Sequence, residues 1–223
     1  MKSRMASFAL SIRLYYLHLA VRTKTTIMKI LLDNGHGFDT PGKRSPDGHF
    51  REYAYNRYLA FLIRERLIAL GLDVQPIVPE REDISLKERC RRVNKICQQF
   101  GTDQVILISI HVNAAGNGQN WLDARGWSCF TTRGKTNSDA LATCLYEAAK
   151  THLPGHRLRT DFTDGDPDIE KDFYIIRHTS CPAVLTENLF MDNREDVAFL
   201  ESAEGSRAIV NLHVDGIRKY ISD

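Results

Sequence analysis

The nine residues from Val105 to Asn113 read VILISIHVN. The first seven, residues 105–111, form an apolar run rich in β-branched side chains, which predicts a strand buried on both faces. Residues 28–33 and 182–185 predict two more strands of this kind. Because such strands need helices above and below them, the sequence favours an α/β fold with a mainly parallel, twisted sheet covered by helices on both faces.

Helical patterns alternate with the predicted strands. Apolar residues recur with helical spacing over residues 53–70, and Gly71 follows as a C-terminal signal. Ser85, with Glu88 three residues later, predicts the start of a second helix that reaches residue 100. The other predicted elements are strands at residues 72–78, 126–132 and 173–177, and helices at residues 138–153, 192–200 and 203–220. This alternation predicts a single domain over residues 28–223.

Polar residues follow three of the buried strands. His36 comes after the first strand, within the sequence DNGHG at residues 33–37, His111 ends the central strand, and Glu187 follows residues 182–185. In a parallel α/β sheet, ligands and catalytic groups gather beyond the carboxyl ends of the strands. We therefore expect the three side chains to converge, although they are far apart in the sequence.

The residue types suit zinc. A catalytic Zn²⁺ takes three protein ligands, usually imidazoles and a carboxylate, and keeps a fourth position open. His36 and His111 would supply two nitrogens, and Glu52, where the first helix begins, would supply the anionic ligand. Glycine on both sides of His36 lets the backbone approach an ion closely. Glu187 is then left to act as a general base and acid.

Simpler interpretations of these residues stay open. Glu52 alone would be a first-turn carboxylate stabilised by the helix dipole. His111 alone would be a hydrogen-bonded histidine of the core. His178, close to a predicted loop, is the alternative ligand if one of the three is misassigned.

Together, these segments resemble the zinc-dependent N-acetylmuramoyl-L-alanine amidases of the Amidase_3 family. The family patterns D-x-G-H-G, S-I-H-x-N and P-A-V-L-x-E match residues 33–37, 109–113 and 182–187, and the family's helix-start glutamate matches Glu52. The resemblance runs from residue 28 to the C-terminus. It departs from the usual pattern at Asn34, where proline is commoner, and at residues 188–190, where a Thr-Gly-Phe-like run is commoner.

The resemblance implies a hydrolase with a phosphorylase/hydrolase-like fold. Enzymes of this family cut bacterial peptidoglycan between the lactyl group of muramic acid and the first alanine of the stem peptide. The implied cofactor is Zn²⁺ on His36, Glu52 and His111, with Glu187 as the catalytic residue. The implied partner is the muramyl peptide, and the implied place of action is the bacterial cell wall, as an autolysin or endolysin.

Substrate contacts are expected from two further residues and two loops. Asn113 follows His111 closely, and Arg177 could bind a substrate carboxylate in bidentate fashion or pair with a surface acid instead. The polar, Gly- and Pro-rich residues 37–48 and the charged residues 157–171 predict loops that rim the substrate groove on either side of the metal and are more mobile than the sheet.

The composition limits the kind of protein that this chain can be. The chain has 223 residues, of which 43% are hydrophobic and 26% charged, as expected for one globular domain. A net charge of +2 and a pI near 8.3 create no strong positive field, so we expect no nucleic-acid partner. The five scattered cysteines without a C-x-x-C pair argue against a disulfide framework or a cysteine zinc site. We expect a monomer.

Residues 1–27 are expected to lie outside the fold. The apolar stretch at residues 8–21 is interrupted by Arg13 and His18, which makes it too short for a stable membrane span. It also lacks the uninterrupted apolar region and cleavage site of a signal peptide. A poor signal or a membrane-active tail is the alternative; without a convincing signal, synthesis in the cytoplasm with later release fits the sequence.

Two other functions compete with the amidase. A zinc carboxypeptidase or peptidase acting on the stem peptide would use the same metal ligands, and a buried arginine facing the metal would favour it. A non-catalytic cell-wall binding module would be expected to lack Glu187 or one of the ligands. All four residues are present in this chain.

Overall fold

A six-stranded sheet forms the centre of the molecule in the computed structural model, which describes residues 28–222. The order of its strands is β2-β1-β3-β6-β4-β5. Their bounds are β1 (Lys29–Asn34), β2 (Asp73–Pro76), β3 (Val105–Asn113), β4 (Ser128–Thr131), β5 (Ile169–Glu170) and β6 (Ala183–Phe190). The predicted extension at residues 1–27 lies outside the described residues.

The sheet is mainly parallel, as predicted. β1 pairs in parallel with β2 and β3, β3 with β6, and β4 with β5, while β4 runs antiparallel to β6. In this register Asn34 of β1 lies beside Ile110 of β3, and His111 of β3 lies beside Glu187 of β6. The carboxyl ends of β1 and β3 therefore meet at the same edge, next to Glu187.

Helices cover both faces of the sheet, which confirms the predicted fold class. Alternate residues of the strands point to opposite faces. Leu31 and Leu107 belong to the core on the side of α2 and α4, whereas Ile30 and Ile108 belong to the core on the side of α1, α3, α5 and α6. The helix bounds are α1 (Glu52–Ala69), α2 (Leu86–Phe100), α3 (Asn137–His152), α4 (Tyr174–Arg177), α5 (Arg194–Glu201) and α6 (Ala203–Ser222).

One predicted strand is wrong. Residues 173–177, expected to be a strand, form the short helix α4, in which the N–H of Arg177 donates to the carbonyl of Phe173. The neighbouring Ile175 and Ile176 are both buried against the α2 side of the sheet. A strand would direct these two side chains to opposite faces, whereas one helical turn can bury both on the same side.

The predicted strand at residues 182–185 is too short. β6 extends to Phe190 and so includes three polar residues, Thr186, Glu187 and Asn188. β3 and β4 flank β6 and supply ladder partners for Thr186 and Glu187, and β3 pairs again with Phe190, so the polar side chains do not end the strand. Glu187 accordingly lies inside the strand rather than beyond it.

The segment at residues 157–171, predicted to be entirely loop, contains β5, which pairs with β4 at the edge of the sheet. Residues 37–48 follow β1. In the sheet, β1 lies on one side of the two central strands β3 and β6, and β5 lies on the other side. Among the described helices, none combines the length and the apolar character needed to cross a membrane.

Candidate metal centre

His36, Glu52 and His111 come together at the carboxyl edge of β1 and β3. One possible ligand atom from each residue lies within 4.8 Å of the other two. The Oε1 atom of Glu52 is 3.4 Å from Nε2 of His36 and 3.1 Å from Nδ1 of His111. Within residues 28–222 this is the one group of three or more His, Cys, Asp or Glu side chains that could hold a metal ion.

The glycines beside His36 make room for this group. A Cβ atom on Gly35 would lie 2.2 Å from Cε1 of His111, and a Cβ on Gly37 would lie 2.0 Å from the backbone nitrogen of Asp83. Neither position can hold a side chain without displacing its neighbour. The sequence predicted a close approach of the backbone to an ion, and the structure shows that the backbone also approaches the second histidine.

His36 has an unusual backbone conformation. Its φ of +63° lies in the left-handed region, which costs a residue with a side chain on the order of 1 kcal/mol and is concentrated at functional sites. The guanidinium of Arg57 donates to the His36 carbonyl at 2.8 Å, and the amide of Asn56 donates to the Gly35 carbonyl at 3.3 Å. Helix α1 therefore holds the strained loop in place.

Glu52 is the buried centre of the group. Only 1% of its surface is exposed. Its backbone N–H donates to the carbonyl of Lys43, and its Oε1 accepts from the N–H of Val112 at 3.1 Å. Its Oε2 is buried and has no hydrogen-bond partner in the described part of the chain. Because an unsatisfied buried carboxylate oxygen is costly, a cation fits this position, whereas a first-turn carboxylate stabilised by the dipole alone would be expected to face water.

Burial and mutual contact shift the pKa values of the three residues. Burial lowers the pKa of His36 to about 4. Burial raises the pKa of Glu52, but the hydrogen bond with His111 and the nearby positive charges together outweigh it, so this pKa lies below its usual value. Burial lowers the pKa of His111, but the same hydrogen bond and the nearby carboxylates together outweigh it, so this pKa is raised. At pH 6 these shifts leave His36 neutral and place an ionised Glu52 beside a protonated His111.

Glu187 lies beside this group and outside it. It is partly exposed, and its Oε2 atom is buried without a hydrogen-bond partner among residues 28–222. Burial raises the pKa of Glu187 to about 8, although the positive charge of His111 acts in the opposite direction. The arrangement is thus three candidate ligands with a fourth, separate carboxyl group next to them.

The other residues singled out in the sequence have other partners. The side-chain oxygen of Asn113 accepts from the N–H of Ala114 at 2.8 Å. Arg177 pairs with Asp172 at 2.7 Å. This matches the alternative prediction that Arg177 pairs with a surface acid. His178 is exposed and stacks on Tyr174, and it does not belong to the ligand group. Substrate contacts by Asn113 and Arg177 stay predictions.

A cavity of about 370 Å³ opens beside the centre. Its wall includes both histidines of the group, so a molecule in the cavity would touch the metal site. The other lining residues are Asp33, Gly35, Thr40, Asp83, Ile84, Ser85, Leu86 and Arg89.

The model of the N-acetylmuramoyl-L-alanine amidase family, Amidase_3, matches residues 30–219. The chain belongs to this family. It is 27% identical over 199 residues to the N-acetylmuramoyl-L-alanine amidase CwlM of Bacillus licheniformis, with 86% of this chain and 68% of that protein covered. It is 23% identical over 174 residues to the endolysin of Bacillus phage SPP1, with 72% and 59% covered. The chain thus spans about three fifths to two thirds of the length of these curated relatives.

Solved structures of the family show the same fold. The N-acetylmuramoyl-L-alanine amidase from Clostridium difficile 630 superposes with a TM-score of 0.72 at 23% sequence identity. The match covers 89% of this chain and 99% of that one. The single α/β domain described here is therefore the fold of the family's catalytic domains.

Arg89 supports the candidate site in a way that the sequence did not predict. The side chain is 2% exposed, and its guanidinium pairs with Asp33 at 2.6 Å and with Asp83 at 3.0 Å. It also donates to the carbonyl of Asn34, and Asp33 accepts from the hydroxyl of Ser109 at 2.6 Å. Arg89 thereby fixes the end of β1 directly before His36. Arg89 stands among other charged residues at positions 88–92, and that pattern does not reveal its burial.

Proposed function

We propose that this protein is a zinc-dependent amidase that hydrolyses the bond between N-acetylmuramic acid and L-alanine in bacterial peptidoglycan. The observation that carries the proposal is the buried Glu52 carboxylate, which lies between two imidazoles and has one unpartnered oxygen. Membership of the amidase family supports the substrate class.

Zinc fits the donors that the chain provides. Two imidazole nitrogens and a carboxylate oxygen are a usual ligand set for catalytic zinc, which keeps one position free. His36, Glu52 and His111 would hold the ion, and its positive charge would satisfy the unpartnered Oε2 atom of Glu52. When bound, zinc supplies Lewis-acid chemistry, since it polarises a carbonyl group and makes water more acidic.

Glu187 would move the proton. Hydrolysis adds a hydroxyl to the lactyl carbonyl carbon and a proton to the alanine nitrogen as the carbon–nitrogen bond breaks. The Glu187 carboxyl is partly exposed beside the ligand group, where it would take the proton from the attacking water and deliver it to that nitrogen. Burial raises the pKa of Glu187, positive charge at His111 opposes this rise, and a cation in the same site would lower the pKa toward the ionised form that a base requires.

No observation favours the competing peptidase. The buried arginine that it would need exists as Arg89, which lines the cavity beside the two histidines. Its charge, however, is already matched by Asp33 and Asp83, and it also donates to two backbone carbonyls. A substrate carboxylate would have to displace one of these partners.

A digest of purified peptidoglycan separates the candidate functions. We expect the protein with zinc to release stem peptides that carry a new N-terminal alanine and to leave glycan strands with free lactyl carboxyl groups. A peptidase would shorten the peptides without creating that terminus, and a binding module would release nothing. Mass analysis of the soluble products distinguishes the three results.

The proposed place of action is the bacterial cell wall. Relatives include a phage endolysin and a sporulation-specific N-acetylmuramoyl-L-alanine amidase of Bacillus subtilis, so the family serves both lysis and cellular remodelling. We expect the protein to act on the muramyl peptide as a monomer.

Zinc binding should release protons. Because the pKa of His111 is raised above its usual value of 6.5, this imidazole is protonated at pH 6, and it must lose its proton to become a ligand. His36, with a pKa of about 4, is already neutral there. We expect release of at least one proton per zinc ion at pH 6 and an affinity that falls as the pH falls. Calorimetry at pH 6 in buffers of different ionisation enthalpy measures this number; binding without proton release would contradict the arrangement.

A further inference from the structure

β6 contains an irregularity directly after Glu187. Glu187 lies beside His111, but Phe190 lies beside Asn113. β6 therefore uses two residues, Asn188 and Leu189, where β3 uses one, which is a β-bulge. Bulges next to active sites change the direction of a neighbouring side chain.

The residue of the bulge that has a left-handed backbone conformation is not a glycine. Leu189 has a φ of +66°, which is a left-handed conformation. Glycine adopts this conformation readily, whereas it is sterically unfavourable for leucine. Its side chain is fully buried in the core on the side of α1, α3, α5 and α6. Because the backbone does not favour this conformation by itself, surrounding contacts must hold it.

Asn188 supplies those contacts on both sides of β6. Its side-chain amide donates to the backbone carbonyl of His111 at 3.0 Å, and its side-chain oxygen accepts from the indole N–H of Trp127 at 3.0 Å. Trp127 directly precedes Ser128, the β4 residue that pairs with Glu187. The Asn188 side chain thus joins the strands on either side of Glu187.

The surroundings of Asn188 hold its side chain in place. The side chain is fully buried, and its amide also donates to the hydroxyl of Thr186 at 3.3 Å. That hydroxyl lies 3.0 Å from Nε2 of the buried His213 of α6. Trp127 is itself fixed by burial and by edge-to-face packing on Tyr146. The three hydrogen bonds of the Asn188 side chain therefore connect the bulge to buried groups of β3, β6 and Trp127.

We infer that Asn188 is a positioning residue for the acid–base group: its side chain locks the bulge that sets the Glu187 carboxyl across from His111. The inference rests on the proposed function. A residue that acts in this way should affect the rate of the chemical step more than the binding of metal or substrate, since the three ligands belong to other segments.

The test is the variant Asn188→Leu, which keeps the branched shape of the side chain and removes its three hydrogen bonds. We expect full zinc content, a KM within about threefold of the parent and a kcat lower by about 10- to 100-fold, because a misplacement of about 1 Å can cost two orders of magnitude. In the metal-free protein, amide exchange in residues 187–190 should become faster. The matched control is Ser138→Ala, which removes the buried hydrogen bond from the N–H of Ala183 at the start of β6 without touching Asn188, and it should keep the parental kcat.

If Asn188→Leu does not fold, Trp127→Phe removes the donor to Asn188 together with part of the buried indole, and it should give a smaller loss of the same type, in kcat and not in KM. An unchanged kcat in Asn188→Leu, a loss of zinc in that variant, or an equal loss of kcat in Ser138→Ala would each overturn the inference. A parent protein that releases no N-terminal alanine would instead contradict the proposed function, so the two failures are distinguishable.

Discussion

Glu187→Gln is expected to keep zinc and fold but to slow hydrolysis by ~10²–10⁴-fold, the usual contribution of a positioned acid–base group. Glutamine has nearly the same shape as glutamate, but its amide cannot accept the proton of water. Glu187 is outside the group of candidate ligands, so its replacement leaves the metal site complete. The measurement combines elemental analysis for zinc with the rate at which new N-terminal alanine appears.

The control for this variant is Glu195→Gln. The Glu195 side chain is 75% exposed and pairs with Arg125, so this change removes one carboxylate without touching the site. It should clear cell walls at the parental rate. Two results for Glu187→Gln would contradict the mechanism: loss of zinc would make Glu187 a ligand, and parental activity would remove it from the chemistry.

The sequence predicts the candidate ligands because each one follows a strong local signal. His36 and His111 come at the ends of apolar runs, and parallel pairing brings the ends of such runs to one edge of the sheet. Glu52 comes where a helical pattern begins. These signals are short-range, so they can be recognised without knowledge of the tertiary contacts.

What the sequence misses depends on long-range packing. Arg89 lies in the charged run ERCRR, which is typical of a solvated helix face, and only the fold reveals that its guanidinium is buried against Asp33. The bulge at Asn188 and Leu189 gives no signal either, because leucine is not a turn residue and the register is set by β3. The helix at residues 174–177 was mistaken for a strand because its β-branched isoleucines favour strands locally.

The largest loss is expected from the metal ligands. His36→Ala and His111→Ala should each weaken zinc binding by more than about 100-fold, since even the loss of an outer partner of a ligand costs about 10- to 100-fold. Hydrolysis should fall to the background rate in both variants. The sheet should stay folded, because both side chains lie at its edge and the core strands remain intact. The parent protein should carry close to one zinc per chain.

Backbone geometry refines the choice of variants. His36 has a left-handed conformation, which asparagine tolerates better than alanine, so His36→Asn removes the imidazole with less strain. His178→Ala is the matched control, because this histidine is exposed and lies outside the ligand group. It should bind zinc like the parent.

Thermal unfolding with and without zinc distinguishes loss of metal from loss of fold. A ligand at 100 times its dissociation constant stabilises the native state by about 2.7 kcal/mol, so the parent and His178→Ala should show a clear rise in Tm on addition of zinc. The ligand variants should unfold cooperatively but show no such rise. Full metal occupancy in both His36→Ala and His111→Ala would mean that the ion binds elsewhere, because the buried Glu52 carboxylate cannot hold it without the imidazoles on either side.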